Sequence, residues 1–134
     1  MAAVYDDQVR LVLIDDDPGV LRALGLVLKA LRFDVTPFSD PVEALSFLRD
    51  SPKVDLVITD LRMPQISGAE VAQGVRNAGL DMPVVIMSGH ATASEIAGLK
   101  EQGASGFIPK PFTPEALLRA VDALLPKRDK VIGS

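Results

Sequence analysis

Five times over, this chain of 134 residues passes from a short apolar run to a segment with helical spacing, and that alternation restricts its fold more than any other feature. The runs are "RLVLID" (10–15), "FDVTPF" (33–38), "VDLVIT" (54–59), "PVVIMS" (83–88) and "SGFIP" (105–109). The segments that follow them are "PGVLRALGLVLKAL" (18–31), "PVEALSFLRD" (41–50), "GAEVAQGVRNAG" (68–79), "ASEIAGLKEQG" (93–103) and "PEALLRAVDALL" (114–125). In the first of these, Leu21, Leu24, Leu28 and Leu31 fall on one helical face. Three of the runs hold cores that are apolar at every position, "LVLI", "LVI" and "VVIM". Neither face of such a strand suits water, so these strands belong to a parallel sheet covered by helices above and below.

The second run alternates apolar and polar residues and contains Pro37, which fits an edge better than a centre. Right-handed crossovers then predict an α/β fold: a flavodoxin-like, doubly wound (βα)5 unit with a five-stranded parallel sheet in the order 2-1-3-4-5. Helix-start chemistry agrees. Asp17-Pro18, Asp40-Pro41 and Thr113-Pro114 each put a capping residue before a first-turn proline. Asp40 with Glu43, Ser67 with Glu70, and Thr92 with Glu95 have capping-box spacing. Gly79 and Gly103 stand where the third and fourth helices should stop. The expected organisation is one domain over 9–126, an N-terminal extension over 1–8, and a polar, frayed tail or linker start over 127–134.

Composition narrows the function classes. With 48% hydrophobic residues there is enough apolar material for one core. A formal net charge of −4 argues against a nucleic-acid surface made by bulk charge. The absence of cysteine excludes disulfides, thiol nucleophiles and zinc-thiolate sites. No apolar run reaches the roughly 18 residues of a membrane span, and "MAAVYDDQVR" lacks the pattern of a signal peptide. A cytoplasmic protein with no membrane partner is the expectation.

In an open parallel sheet, ligands bind beyond the carboxyl ends of the strands, at the switch in strand order. Asp15, Asp16 and Asp17 follow the first strand, Asp60 the third, Ser88 the fourth and Lys110 the fifth. Carboxylates brought this close do not all stay ionised without compensation. A hard divalent cation with oxygen ligands resolves the conflict, and Mg²⁺ fits, with Mn²⁺ as a substitute. With the cation and Lys110 neutralising a phosphoryl group, Asp60 can act as the nucleophile and form an aspartyl phosphate.

The acidic group in "LVLIDDDP", the segment "DLRMPQISG", then "VVIMSGHA" and "GFIPKPF" together resemble the response-regulator receiver domains of two-component signalling, from about Val9 to Leu125. The resemblance implies that Asp60 is the phosphoacceptor, with Ser88 and Lys110 holding phosphoryl oxygens. It implies a metal site of Asp15, Asp16, Asp60 and the Arg62 backbone carbonyl. Phe107 takes the place of the family's switch aromatic and acts with Ser88, while Arg62 and His90 occupy the two positions that tune dephosphorylation. The implied donor is a sensor histidine kinase or a histidine phosphotransfer protein. The implied output is a change in the face of helix four, strand five and helix five, through which two copies also pair in some relatives. Members of the family catalyse their own phosphotransfer and slow dephosphorylation without being conventional enzymes. The bond before Pro111 is expected to be cis.

Blander roles stand beside these. Asp17 reads as a helix cap, Phe107 equally well as core, and His90 as a surface loop imidazole. A haloacid-dehalogenase-type phosphatase also uses an aspartate after a strand, but it needs a second aspartate two residues on, where this chain has Arg62. Receiver-like modules that never accept phosphate usually lose an acid, the hydroxyl or the lysine, and none is missing here. A dinucleotide-binding domain would need a glycine-rich turn after the first strand.

Overall fold

The computed structural model describes residues 4–5, 8–50, 53–125 and 130–131. Five parallel strands, β1 (Arg10–Ile14), β2 (Asp34–Phe38), β3 (Leu56–Asp60), β4 (Val84–Ser88) and β5 (Gly106–Pro109), form one sheet in the order β2-β1-β3-β4-β5. The helices α1 (Pro18–Ala30), α2 (Pro41–Asp50), α3 (Gly68–Asn77), α4 (Ala93–Glu101) and α5 (Pro114–Leu124) follow them in turn. The predicted order and the edge position of the Pro37 strand both hold.

The strands alternate between two apolar layers, as a pleated sheet covered on both sides must. Leu11, Leu13, Leu56, Ile58, Val85 and Met87 meet Leu28 of α1 and Leu117 and Val121 of α5. Val12, Ile14, Val57, Val84 and Ile86 meet Leu48 of α2, Val71 and Val75 of α3, and Leu99 of α4. Of the predicted leucine face on α1, Leu28 is fully buried and Leu21, Leu24 and Leu31 pack partly buried beside it.

The helix starts form largely as read. Asp17 Oδ1 accepts from Gly19 N and Val20 N, and Thr113 Oγ1 from Ala116 N. Full capping boxes form at Ser67/Glu70 and Thr92/Glu95. The Asp40 cap is one-sided: its carboxylate accepts from Val42 N and Glu43 N, and Glu43 returns no bond among the described residues. Gly79 and Gly103 adopt φ +78° and +106°, the left-handed conformation that ends α3 and α4. Below the sheet, the Arg76 guanidinium binds the carbonyls of Leu80, Met82 and Gly103 and the Ser105 hydroxyl, tying α3 to the entries of β4 and β5.

The expectations for 1–8 and 127–134 fall largely outside the described residues. Within them, Val4–Tyr5 pairs antiparallel with Lys130–Val131 in a separate two-residue ribbon, where the composition alone reads as a fraying tail. Among the described residues no helix is long and apolar enough to cross a membrane.

Gly68 and Gly25 set up a contrast. A Cβ at Gly68 would run into the Asp60 carbonyl oxygen and lie 3.1 Å from Leu61 Cα, whereas one at Gly25, inside α1, would meet nothing within 4 Å. Gly68→Ala is therefore expected to destabilise the domain by about 1–3 kcal/mol through overpacking. Gly25→Ala should stabilise it by about 0.5–1 kcal/mol through helix propensity. Urea denaturation midpoints of the two variants check both signs.

Candidate functional site

The strand register brings the polar residues level. Ile14 pairs with Thr59, so Asp15 emerges beside Asp60. Asp60 pairs with Met87, which puts Ser88 one step further, and Ser88 pairs with Pro109, just before Lys110. The loops are fixed by backbone bonds: Asp15 N donates to Phe38 O, Leu61 N to Met87 O, and Lys110 N to Ser88 O. Gly68 N donates to Leu61 O at 2.8 Å and closes the β3–α3 loop over Asp60. The Lys110-Pro111 peptide is cis, as expected.

Three carboxylates meet here. One oxygen from each of Asp15, Asp16 and Asp60 lies within 4.8 Å of the others. Asp15 is buried, Asp60 half-buried and Asp16 exposed. Lys110 Nζ donates to Asp60 Oδ1 at 2.9 Å and stands 3.7 Å from Asp15 Oδ2. Burial alone would push the Lys110 ammonium down, but the bond and charge of Asp60, joined by the charge of Asp15, outweigh it and the net shift is up.

Asp15 is the strained member. Its Oδ1 accepts from Asp17 N at 2.9 Å, while its Oδ2 is buried with no hydrogen bond. Burial raises its pKa first of all; the Asp17 backbone bond opposes this, and the Asp60 charge adds to the rise. A buried carboxylate oxygen with no hydrogen bond, paired only at 3.7 Å with Lys110 and grouped with two further carboxylates, belongs to the donor set a hard divalent cation satisfies. The site therefore fits the cation inferred from the acidic residues.

Asp60, Ser88, Lys110, Arg62 and His90 line one open cavity of about 720 Å³, with an apolar shoulder from Val20, Leu24 and Phe112. Ser88 is buried, and its Oγ accepts from His90 N at 3.3 Å, which leaves the hydroxyl proton free to donate. Phe107 lies outside this cavity, half-buried against the layer that holds Leu99 and Ala104. Asp17 caps α1, so the bland reading of that residue is the right one.

Glu95 is the polar residue whose wider role sequence reasoning missed. Its spacing marks it as half of a capping box, yet its carboxylate also binds the Arg62 guanidinium at 3.0 and 3.2 Å, across 33 residues. No local pattern carries that contact.

A parallel sheet of this order, with acids and a lysine gathered at the carboxyl ends of its strands, is a doubly wound α/β domain of the flavodoxin-like kind. Residues 11–122 match the response regulator receiver domain, and the chain belongs to that family. It is 36% identical over 115 residues to the transcriptional regulatory protein GlrR of Escherichia coli, covering 86% of this chain and 26% of that protein. It is 37% identical over 119 residues to the response regulator MprA of Mycobacterium leprae, covering 87% and 51%. The chain thus spans between a quarter and about half the length of these relatives. Among solved structures, the chemotaxis protein CheY4 of Vibrio cholerae superposes with a TM-score of 0.82 at 25% identity, covering 89% of this chain and all of that one. A receiver domain from Clostridium thermocellum gives 0.81 at 26%, covering 87% and 93%.

The Asp15 carboxylate generates a testable consequence. A pKa raised in the folded state means that protonated Asp15 favours folding; this gain is complete below the ordinary 3.8 and is lost as pH rises through the folded value. At neutral pH the cation-free protein therefore carries the cost of a buried charge. Asp15→Asn is expected to stabilise the cation-free protein at pH 7 by about 1 kcal/mol, and to lose that advantage below pH 3.8. The same variant should bind Mg²⁺ more weakly. Urea midpoints at the two pH values and a Mg²⁺ titration check these outcomes.

Proposed function

We propose that the domain accepts a phosphoryl group on Asp60 from a phosphohistidine of a sensor kinase or histidine phosphotransfer protein. The observation that carries this reading is the Asp60–Lys110 contact of 2.9 Å beside a three-carboxylate cluster in which Asp15 Oδ2 lacks a hydrogen bond. Asp15, Asp16 and Asp60, with the Arg62 backbone carbonyl, would hold the Mg²⁺ or Mn²⁺ ion. Such an ion, when bound, neutralises phosphoryl charge and so favours the attack of one anion on another.

The chain's own groups supply the rest. An Asp60 carboxylate oxygen attacks phosphorus in line: an O–P bond forms, the donor's N–P bond breaks, and the leaving imidazole nitrogen takes a proton. Lys110 turns from Asp60 toward a phosphoryl oxygen, and the Ser88 hydroxyl donates to another. Ser88 ends β4, so its movement pulls on the loop that leads into α4. Phe107, packed in the same layer as Leu99 of α4, relays that movement into the α4–β5–α5 face. That face is the output surface in this reading, whether it meets an effector or a second copy. A cytoplasmic location goes with it.

Incubation with acetyl phosphate and Mg²⁺, followed by intact-mass measurement, tests the reading. The wild type is expected to gain one phosphoryl group, and Asp60→Asn and a Mg²⁺-free control none. An unchanged wild-type mass, or a persisting gain in Asp60→Asn, overturns it. Lys110→Ala should retain Mg²⁺ binding but slow labelling by about 10²-fold or more, the scale of losing one charged group at a transferring oxygen.

A further inference from the structure

Arg62 stands on the ridge between two grooves. On one side it lines the cavity of Asp60, Ser88, His90 and Lys110. On the other it lines a second cavity of about 650 Å³, together with Ser67, Glu95 and Leu99. Its guanidinium is turned to the second: Nη2 donates to both carboxylate oxygens of Glu95. Glu95 is itself fixed, because its Oε1 accepts from Thr92 N at 3.1 Å in the capping box of α4. First that backbone bond and then the Arg62 contact hold its carboxyl below the usual range, in the charged form.

We propose that Glu95 is a positioning residue for loss of the Asp60 phosphoryl group: it keeps the Arg62 guanidinium in the neighbouring groove and leaves the approach to phosphorus open to water. The inference rests on the phosphoacceptor reading of Asp60. Hydrolysis requires a water opposite the Asp60 oxygen. A new O–P bond forms as the acyl O–P bond breaks, the electron pair returns to the Asp60 carboxylate, and inorganic phosphate leaves with the water's proton passed to solvent. The charge that develops falls on the Asp60 oxygen, the partner to which Lys110 returns as the phosphoryl group leaves. A guanidinium resting on the outer phosphoryl oxygens adds attraction to the phosphorylated state and occupies the water's path.

The phosphoryl group and Glu95 therefore compete for one cation. Both side chains of the Arg62–Glu95 pair are substantially exposed, 59% and 41%, so the contest is close and sensitive to salt. It also reaches α4, whose first turn carries Glu95 and which buries only Leu99.

Glu95→Gln separates the charge from the cap, because glutamine serves equally at the third position of a capping box. Wild type, Glu95→Gln, Arg62→Ala and the double variant are loaded with acetyl phosphate and Mg²⁺ at low salt, desalted, and followed by intact mass as the phosphoryl group is lost. Glu95→Gln is expected to decay about two- to fivefold more slowly than wild type, the range an exposed ion pair supports. Arg62→Ala and the double variant should decay at the same rate as each other, since Glu95 acts only through Arg62. Equal or faster decay in Glu95→Gln overturns the proposal, as does slowing that persists with alanine at position 62. Failure of the wild type to take up the phosphoryl group is a different result, and overturns the reading of Asp60 beneath it.

Discussion

The Lys110 ammonium, 2.9 Å from Asp60 and 3.7 Å from Asp15, is the contact on which the upper end of the sheet depends. It joins the ends of β5, β3 and β1, and the bond to Asp60 alone spans 50 residues of sequence. Without a positive charge there, two carboxylates at the rim of an apolar sheet would face each other in partly excluded water, which is costly for both. Yet one ammonium does not satisfy three acids: Asp15 Oδ2 keeps no hydrogen bond, and Asp16 looks to solvent. The protein is folded around an incomplete charge balance, in a cluster of three carboxylates that could hold a divalent cation.

The sheet makes the site accurate because its strands end level. A parallel register fixes Asp15 against Asp60 and Ser88 next to Lys110 before any side chain chooses a rotamer. The β3–α3 loop is then closed by the Gly68–Leu61 bond, and the glycine lies so close to the Asp60 carbonyl that no side chain fits. Asp60 is thereby held at its backbone from two sides, by the sheet register and by the close approach of Gly68.

Much of this was legible in the chain. Continuous apolar cores such as "LVLI" and "VVIM" specify central parallel strands, and the alternation around Pro37 specifies an edge, so the strand order followed. Asp15, Asp16, Asp60, Ser88 and Lys110 were legible as a candidate site because each stands at the end of a strand or just past it, and the fold rule then collects strand ends in one place. The Arg62–Glu95 pair was not, since two long, exposed side chains 33 residues apart leave no periodic trace. Nor were the four acceptors gathered by Arg76, which sit on turns and strand entries whose proximity exists only after folding. The one-sided cap at Asp40 shows the reverse: the spacing of a motif was present without its second bond.

Arg76 has a consequence for how the domain can move. Through Gly103 and Ser105 it pins the chain just beyond the C-terminal end of α4, and buried Leu99 seats the same end of the helix. At the opposite end, the solvent-exposed Arg62–Glu95 pair ties the first turn of α4 to the β3–α3 loop. A helix moored firmly at its foot and loosely at its head swings rather than slides. The looser attachment is the one on the side of the aspartate.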